Sequence, residues 1–151
     1  MLKIINNNLS NIRRRIDCTP YLDCSAHDAA QVACDEAEAA LEEAENNLSN
    51  ARELQSQLEQ EKATTQELLN NYESVYDTLS AVGSTVANPN NMGEMSSMIE
   101  CISNYGSNVE AACNQAKTEV SRCLNERNLC ARRARAARET LANTPCVWEC
   151  A

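Results

Sequence analysis

Apolar residues recur along most of this chain at alternating spacings of three and four. From about Ser25 to Val82 one row reads Ala30, Ala37, Ala44, Ala51, Leu58, Thr65, Tyr72, Leu79. A second reads Cys34, Leu41, Leu48, Gln55, Lys62, Leu69, Tyr76. Together the rows draw one stripe down a helix, the pattern of a coiled-coil seam. Alanine along the first row lets a partner helix approach closely. Gln55, Lys62 and Thr65 interrupt the stripe with polar groups that fix register more than they add packing. A second long helix is expected from about Gly93 to Ala142. Its rows are Met95, Ile102, Val109, Ala116, Cys123, Cys130, Ala137 and Met98, Tyr105, Ala112 or Cys113, Val120, Ala134, Leu141, with Arg127 interrupting the latter.

Residues 83–93 separate the two patterns. They hold Gly83, Gly93 and Pro89, residues that stop helices and suit turns. The expected fold is therefore all-α, a long antiparallel helical hairpin of coiled-coil type with its turn at 83–93. Ser25 or Asp28 is expected to cap the first helix and Asn90 or Asn91 the second. Asn143-Thr144-Pro145 is expected to stop the second, leaving a Cys-rich tail at 143–151.

A separate pattern occupies residues 1–17, where Leu2, Ile5, Leu9, Ile12 and Ile16 fall on one helical face. Lys3, Arg13, Arg14 and Arg15 lie largely off that face. This segment reads as a short amphipathic helix that packs on the hairpin or on a second copy. A basic amphipathic helix can also lie on anionic lipid, but the many Asn residues and the lack of aromatics count against membrane contact. Cys18-Thr19-Pro20 ends the segment, because a residue before proline is pushed out of helical geometry. The chain thus divides at 1–17 and 18–151.

Composition narrows the picture. The 151 residues include no Phe, one Trp and four Tyr, so a narrow seam is easier to bury than a round core. The formal charge of -9 is unevenly placed. Residues 1–17 are net basic, 18–100 strongly acidic and 101–151 slightly basic. That distribution suits neither nucleic acid nor a membrane span, which needs about 20 consecutive apolar residues. It does suit an antiparallel hairpin. A turn centred between 87 and 88 gives facing residues whose numbers sum to about 175. The acidic run Asp35, Glu36, Glu38, Glu42, Glu43, Glu45 then faces the basic run Arg132, Arg133, Arg135, Arg138, for example Glu38 with Arg133 and Glu43 with Arg132. Such pairs select register more than they stabilise.

Nine cysteines admit two readings. Cys34, Cys113, Cys123 and Cys130 fall on seam positions, where a reduced thiol packs as a small apolar group. Cys18, Cys24 and Cys34 stand at the open end of the first helix, and Cys146 and Cys150 at that of the second. The hairpin register brings these clusters together, so Cys18–Cys150, Cys24–Cys146 and Cys34–Cys146 are all open as disulfides. The odd total leaves at least one thiol unpaired within the chain. Zinc held by Cys18, Cys24, His27 and Cys34, with or without Cys146 and Cys150, lacks the compact pairs of common zinc modules, and His27 reads as solvent-facing. No metal, cofactor or catalytic set is expected. The single His, the missing Gly-rich phosphate loop and the carboxylates strung along helix faces argue against an enzyme. The polar start offers no secretory h-region, so the expected location is the cytoplasm or, by a route independent of a signal peptide, the exterior.

Two helices joined near Asn91-Met92-Gly93 give a pattern, over about Ala26 to Leu141, that resembles the Esx-like, Trp-x-Gly hairpin proteins of type VII secretion. It resembles still more the longer helical partner proteins of toxins in that system. The Gly of the motif is present; Asn91 stands where the Trp would be. The resemblance implies binding to a partner helix or accompanying a secreted toxin. On that resemblance the chain is expected to be a non-enzymatic interaction protein, a secretion partner or adaptor, whose partner is another helical protein or further copies of itself. The candidate contact stripe is Leu54, Leu68, Val75, Val82 with Met92, Met95, Met98, Ile99. A structural subunit of a filament, coat or appendage, joined by helix packing and cysteines, is the second reading.

Overall fold

The structure, a computed structural model, describes residues 19–82 and 89–150. The expected helix at 1–17, Cys18 and the centre of the turn lie outside the described residues. Four elements follow in order: β1 (Pro20–Asp23), α1 (Ser25–Val82), α2 (Pro89–Ala142) and β2 (Val147–Cys150). The two long helices pack against each other. The molecule divides into a terminal unit, residues up to Leu41 with those from Leu129 on, and a central unit, Glu42–Asn128.

In the terminal unit the start of α1 is capped, though not by the residues expected. Cys24 is the N-cap, its carbonyl accepting from Asp28 N–H at 2.8 Å. The carboxylate of Asp23 accepts from Ser25 N–H at 2.9 Å, satisfying one of the orphan donors of the first turn. That hydrogen bond holds the Asp23 carboxyl below its ordinary value. Neither Ser25 nor Asp28 supplies the cap, because both already lie inside the first turn of α1, with the Ser25 amide taken by Asp23. On the other helix of the unit, Asn143 N–H returns to Glu139 and Thr140, and Thr144 N–H to Leu141. α2 is closed there before Pro145, which cannot extend it.

β1 and β2 form an antiparallel ladder with Pro20 opposite Cys150, Tyr21 opposite Glu149, Leu22 opposite Trp148 and Asp23 opposite Val147. The ladder adds two short strands to a fold that is otherwise all-helical as expected; the sequence marks the tail only as Cys-rich. Tyr, Val and Trp favour extended backbone, and Pro20 takes the first strand position, where no ladder donor is required of it. A two-stranded ladder is marginal alone. Here the Cys24–Cys146 disulfide, with Cα atoms 4.3 Å apart, closes it immediately next to the Asp23–Val147 pair. Tyr21 Oη donates to Glu149 Oε2 at 3.2 Å across the strands.

Small side chains form the buried seam in both units. Cys34 and the fully enclosed Ala134 lie in the terminal unit. Ala44, Leu48, Ala51, Thr65, Val109, Cys113, Ala116 and Cys123 lie in the central unit, where Leu48, Ala51 and Cys123 cluster with Val120. The first rows of both helices hold as read. The second row of α2 is corrected. It passes through Ile99, Gly106 and Cys113, whereas Met98 and Tyr105 are about half exposed. Gly106 explains the shift. An added Cβ there would lie 3.5 Å from Thr65 Cγ2, so the helices meet closely at Thr65 and no large side chain fits between them. Lys62, read as a seam residue, is exposed. Its ammonium reaches past the seam to Glu110 at 2.6 Å.

α2 begins at Pro89, four residues before the expected Gly93. Proline is pre-set for the first helical position and its missing N–H is not needed there. Asn91 and Gly93 therefore lie inside the helix, and neither Asn90 nor Asn91 is its cap.

Candidate docking surface

The two edges of the central unit differ. On one edge, charges bridge α1 to α2: Glu45 with Arg127 at 3.0 Å, Glu59 with Lys117 at 3.7 Å and Lys62 with Glu110 at 2.6 Å. Gln66, Ser103 and Ser107 continue it around Gly106. The Lys62 ammonium holds the Glu110 carboxyl below its ordinary value, and Glu110 raises Lys62 in return. Each polar group there already has an intramolecular partner or faces water.

The other edge is apolar. Leu54, Leu68, Val75 and Val82 follow each other at seven-residue steps on α1, interrupted once by Glu61. They and Met98 on α2 are 46–54% exposed. Leu68, Cys101, Ile102 and Tyr105 line a shallow groove of about 260 Å³. Two turns further along α1, Tyr72, Val75 and Met95 line a second of about 300 Å³. Because Val75 stands seven residues beyond Leu68, both depressions lie along the same edge. Tyr105 Oη donates to Glu61, so the one acid within the α1 row is tied down across the groove. That contact also raises the Tyr105 phenol above its ordinary value.

The residues expected to form the contact stripe are thus placed in two layers. Leu54, Leu68, Val75, Val82 and Met98 stand out from the edge. Met92, Met95 and Ile99 are half-buried and form its floor towards the seam. Cys101 and Tyr105 belong to the groove but were not expected there, Tyr105 having been assigned to the seam. The sequence signal was available in Gly106, whose place in the buried row pushes its neighbour Tyr105 outward.

Residues 63–116 contain Glu67, Glu73, Asp77, Glu94, Glu100 and Glu110 and no Lys, Arg or His. The charged residues of this stretch are therefore all acidic, Glu110 being the one paired with Lys62 on the opposite edge.

Cys24 is bonded to Cys146. Cys150 is disulfide-bonded as well, and Cys18, paired with it in one sequence reading, lies outside the described residues. Cys34 is a free, buried thiol, which removes it from the disulfide set. It sits in the helix seam beside Glu38 and donates to Glu38 Oε1 at 3.8 Å. Burial, and then the charges of Glu38 and Asp35, push the Cys34 thiol up. Burial and Glu119 do the same to Cys123. Neither is poised as a thiolate nucleophile. Cys101 is a free, exposed thiol.

His27 is half-buried, contrary to the solvent-facing expectation. Its Nδ1 lies 2.8 Å from the Thr144 carbonyl oxygen. A carbonyl only accepts, so Nδ1 carries the proton. The ring links the first turn of α1 to Thr144, two residues past the end of α2. With His27 so engaged and Cys24 and Cys146 bonded to each other, these three groups serve structure and do not form a metal site. Glu38 pairs with Arg138 at 2.6 Å rather than with Arg133, and Arg138 holds its carboxyl below the ordinary value. Trp148, the single Trp, is 72% exposed opposite Leu22.

No described helix is long and apolar enough to cross a membrane. No protein-family model, curated protein or solved structure matches the chain.

Proposed function

We propose that this chain is a non-enzymatic interaction protein that binds a helical partner along the apolar edge of its central unit, as an adaptor or a secretion partner. The observation that carries this reading is the asymmetry of the two edges. One is closed by cross-helix ion pairs; the other leaves a row of half-exposed aliphatic side chains over shallow apolar grooves. Contiguous exposed apolar surface with a polar rim is a mark of an interaction site. Positions separated by seven residues match the anchors of an amphipathic helix laid in a groove. The Cys24–Cys146 disulfide suits an oxidising environment, which agrees with export independent of a signal peptide. The Esx-like resemblance belongs to this same proposal.

The test is fluorescence anisotropy of a labelled basic amphipathic Leu/Lys helical peptide titrated with the full chain. Saturable binding that disappears in a Leu68→Asp, Met98→Asp variant of unchanged helicity supports the proposal. No binding, or binding that the variant retains, contradicts it.

A further inference from the structure

The polar edge of the central unit has one rung without a partner. On α2, Glu110, Lys117 and Leu124 follow each other at seven-residue steps. Glu110 pairs with Lys62 and Lys117 with Glu59. Seven residues before Glu59 on α1 stands Arg52, and it lines one depression together with Leu124. Their preceding residues, Ala51 and Cys123, share the buried cluster. An acid at the place of Leu124 would continue the row of pairs; leucine does not. Nothing nearby makes up for it. The residues three and four positions from Arg52 are Leu48, Ser49, Gln55 and Ser56, so no neighbour on its own helix face is charged. The acids nearest to Leu124 along α2, Glu119 and Glu126, are both held by Arg122, at 2.6 and 2.9 Å. Among the described residues Arg52 has no ion-pair partner.

The depression measures about 360 Å³ and is lined by Glu45, Leu48, Ser49, Arg52, Leu124 and Arg127, a size at the small end of ligand sites. Leu48 is buried beneath it. Glu45 is engaged by Arg127, through Nε at 3.2 Å and Nη2 at 3.0 Å. Two guanidiniums thus stand against one carboxylate, beside two leucines. We propose that this depression binds a small organic monocarboxylate whose hydrocarbon body lies on Leu48 and Leu124. The carboxylate takes the place of the missing acid and accepts from the Arg52 guanidinium, whose forked donors match it. One excess positive charge suits a monoanion better than a phosphate, whose second charge would face Glu45 uncompensated. The leucines favour an acid with a hydrocarbon body over a bare inorganic anion. The gap is also short, with the Glu45–Arg127 pair on one side and the Glu59–Lys117 pair on the other. A helix laid along this edge would have to desolvate both pairs, whereas a small acid fits between them. The site does not depend on what occupies the apolar edge.

The test is a titration of the ¹⁵N-labelled full chain with sodium hexanoate at constant ionic strength, followed by amide chemical shifts. Saturable binding to one site is expected at about millimolar concentration, with the shifts centred on Ser49, Arg52, Leu124 and Arg127. Arg52→Gln, with unchanged helicity, should weaken binding at least about tenfold. Leu124→Glu should abolish it without lowering the melting temperature, because the chain then supplies the acid that Arg52 lacks. Hexanol and inorganic phosphate should each leave those amides unshifted, one lacking the charge and the other the hydrocarbon body. Shifts that never saturate, that are centred on Leu68 and Cys101, or that persist undiminished in Arg52→Gln overturn the proposal. Equal binding of phosphate or of hexanol overturns the class of ligand assigned.

Discussion

The terminal and central units hold the same pair of helices by different means. In the terminal unit the start of α1 and the end of α2 are tied by the Cys24–Cys146 bond, the four-residue ladder, the His27–Thr144 hydrogen bond and the Glu38–Arg138 pair. Little of this is apolar burial. In the central unit there is no disulfide among the described residues, and the helices are held by a seam of Ala, Cys, Leu, Val and Thr. Small seam residues bring the backbones close but bury little area per residue. The lesson is a division of labour. Covalent closure at the ends relieves the middle of the need for large core side chains. Large aliphatic residues such as Leu68 and Val75 are then left on an edge where they can meet something else.

The largest effect should come from removing the covalent half of that division. The Cys24–Cys146 bond spans 122 residues, and the chain-entropy account assigns closure of such a loop about 4–5 kcal/mol. Reductant opens this bond together with the one at Cys150, so denaturation with and without it should differ by about that amount or more. Hydrogen exchange should rise first in the terminal unit; an equal rise throughout the chain would show that the two units are not held differently. Next in size is overpacking of the seam. Ala134 is wholly enclosed, and Ala134→Leu should cost about 1–3 kcal/mol, read from the guanidinium midpoint. A smaller effect of opposite sign is expected at the close approach of the central unit. Gly106→Ala should stabilise by up to about 1 kcal/mol, since it gains helix propensity and its Cβ meets Thr65 at an ordinary 3.5 Å. Gly106→Leu should destabilise, because nothing that large fits there.

Much of this was legible in the sequence. The heptad rows give α1 from Ser25 to Val82, and Cys24 and Cys146 mark where the start of α1 meets the end of α2. Three features were not legible, for physical reasons. The second row of α2 can be drawn through either Met98 and Tyr105 or Ile99 and Gly106. Apolar periodicity prefers the former; only the close approach to Thr65 selects the latter. The ladder is too short to carry an alternating pattern, and its partners are more than a hundred residues apart. His27 looks exposed beside Asp28, since its acceptor, the Thr144 carbonyl, has no side-chain signature. For the docking edge, the α1 row was readable at its seven-residue spacing, while Cys101 and Tyr105 depended on the corrected phase of α2.

The smallest effect concerns pH. The carboxyls of Glu38 and Glu110 lie below their ordinary value of 4.5 because of Arg138 and Lys62. Their contribution is fully present above that unfolded value and is lost as pH falls through the lower folded values. Thermal stability should therefore be insensitive to these pairs from pH 6 to 8 and decline below about pH 4.5. Loss should be more evident in the central unit, where no covalent tie remains among the described residues. A melting temperature that stays level down to pH 3 would remove these pairs from the account.

The central claim is that the two edges of the central unit have different uses, and one paired measurement addresses it. Leu68→Asp with Met98→Asp on the apolar edge should leave the melting temperature nearly unchanged and abolish binding of the labelled Leu/Lys peptide. Gln66→Asp with Ser103→Asp on the polar edge should leave both unchanged. If the two pairs affect binding equally, or if the apolar-edge pair unfolds the chain, the edge is part of the core and not a docking surface.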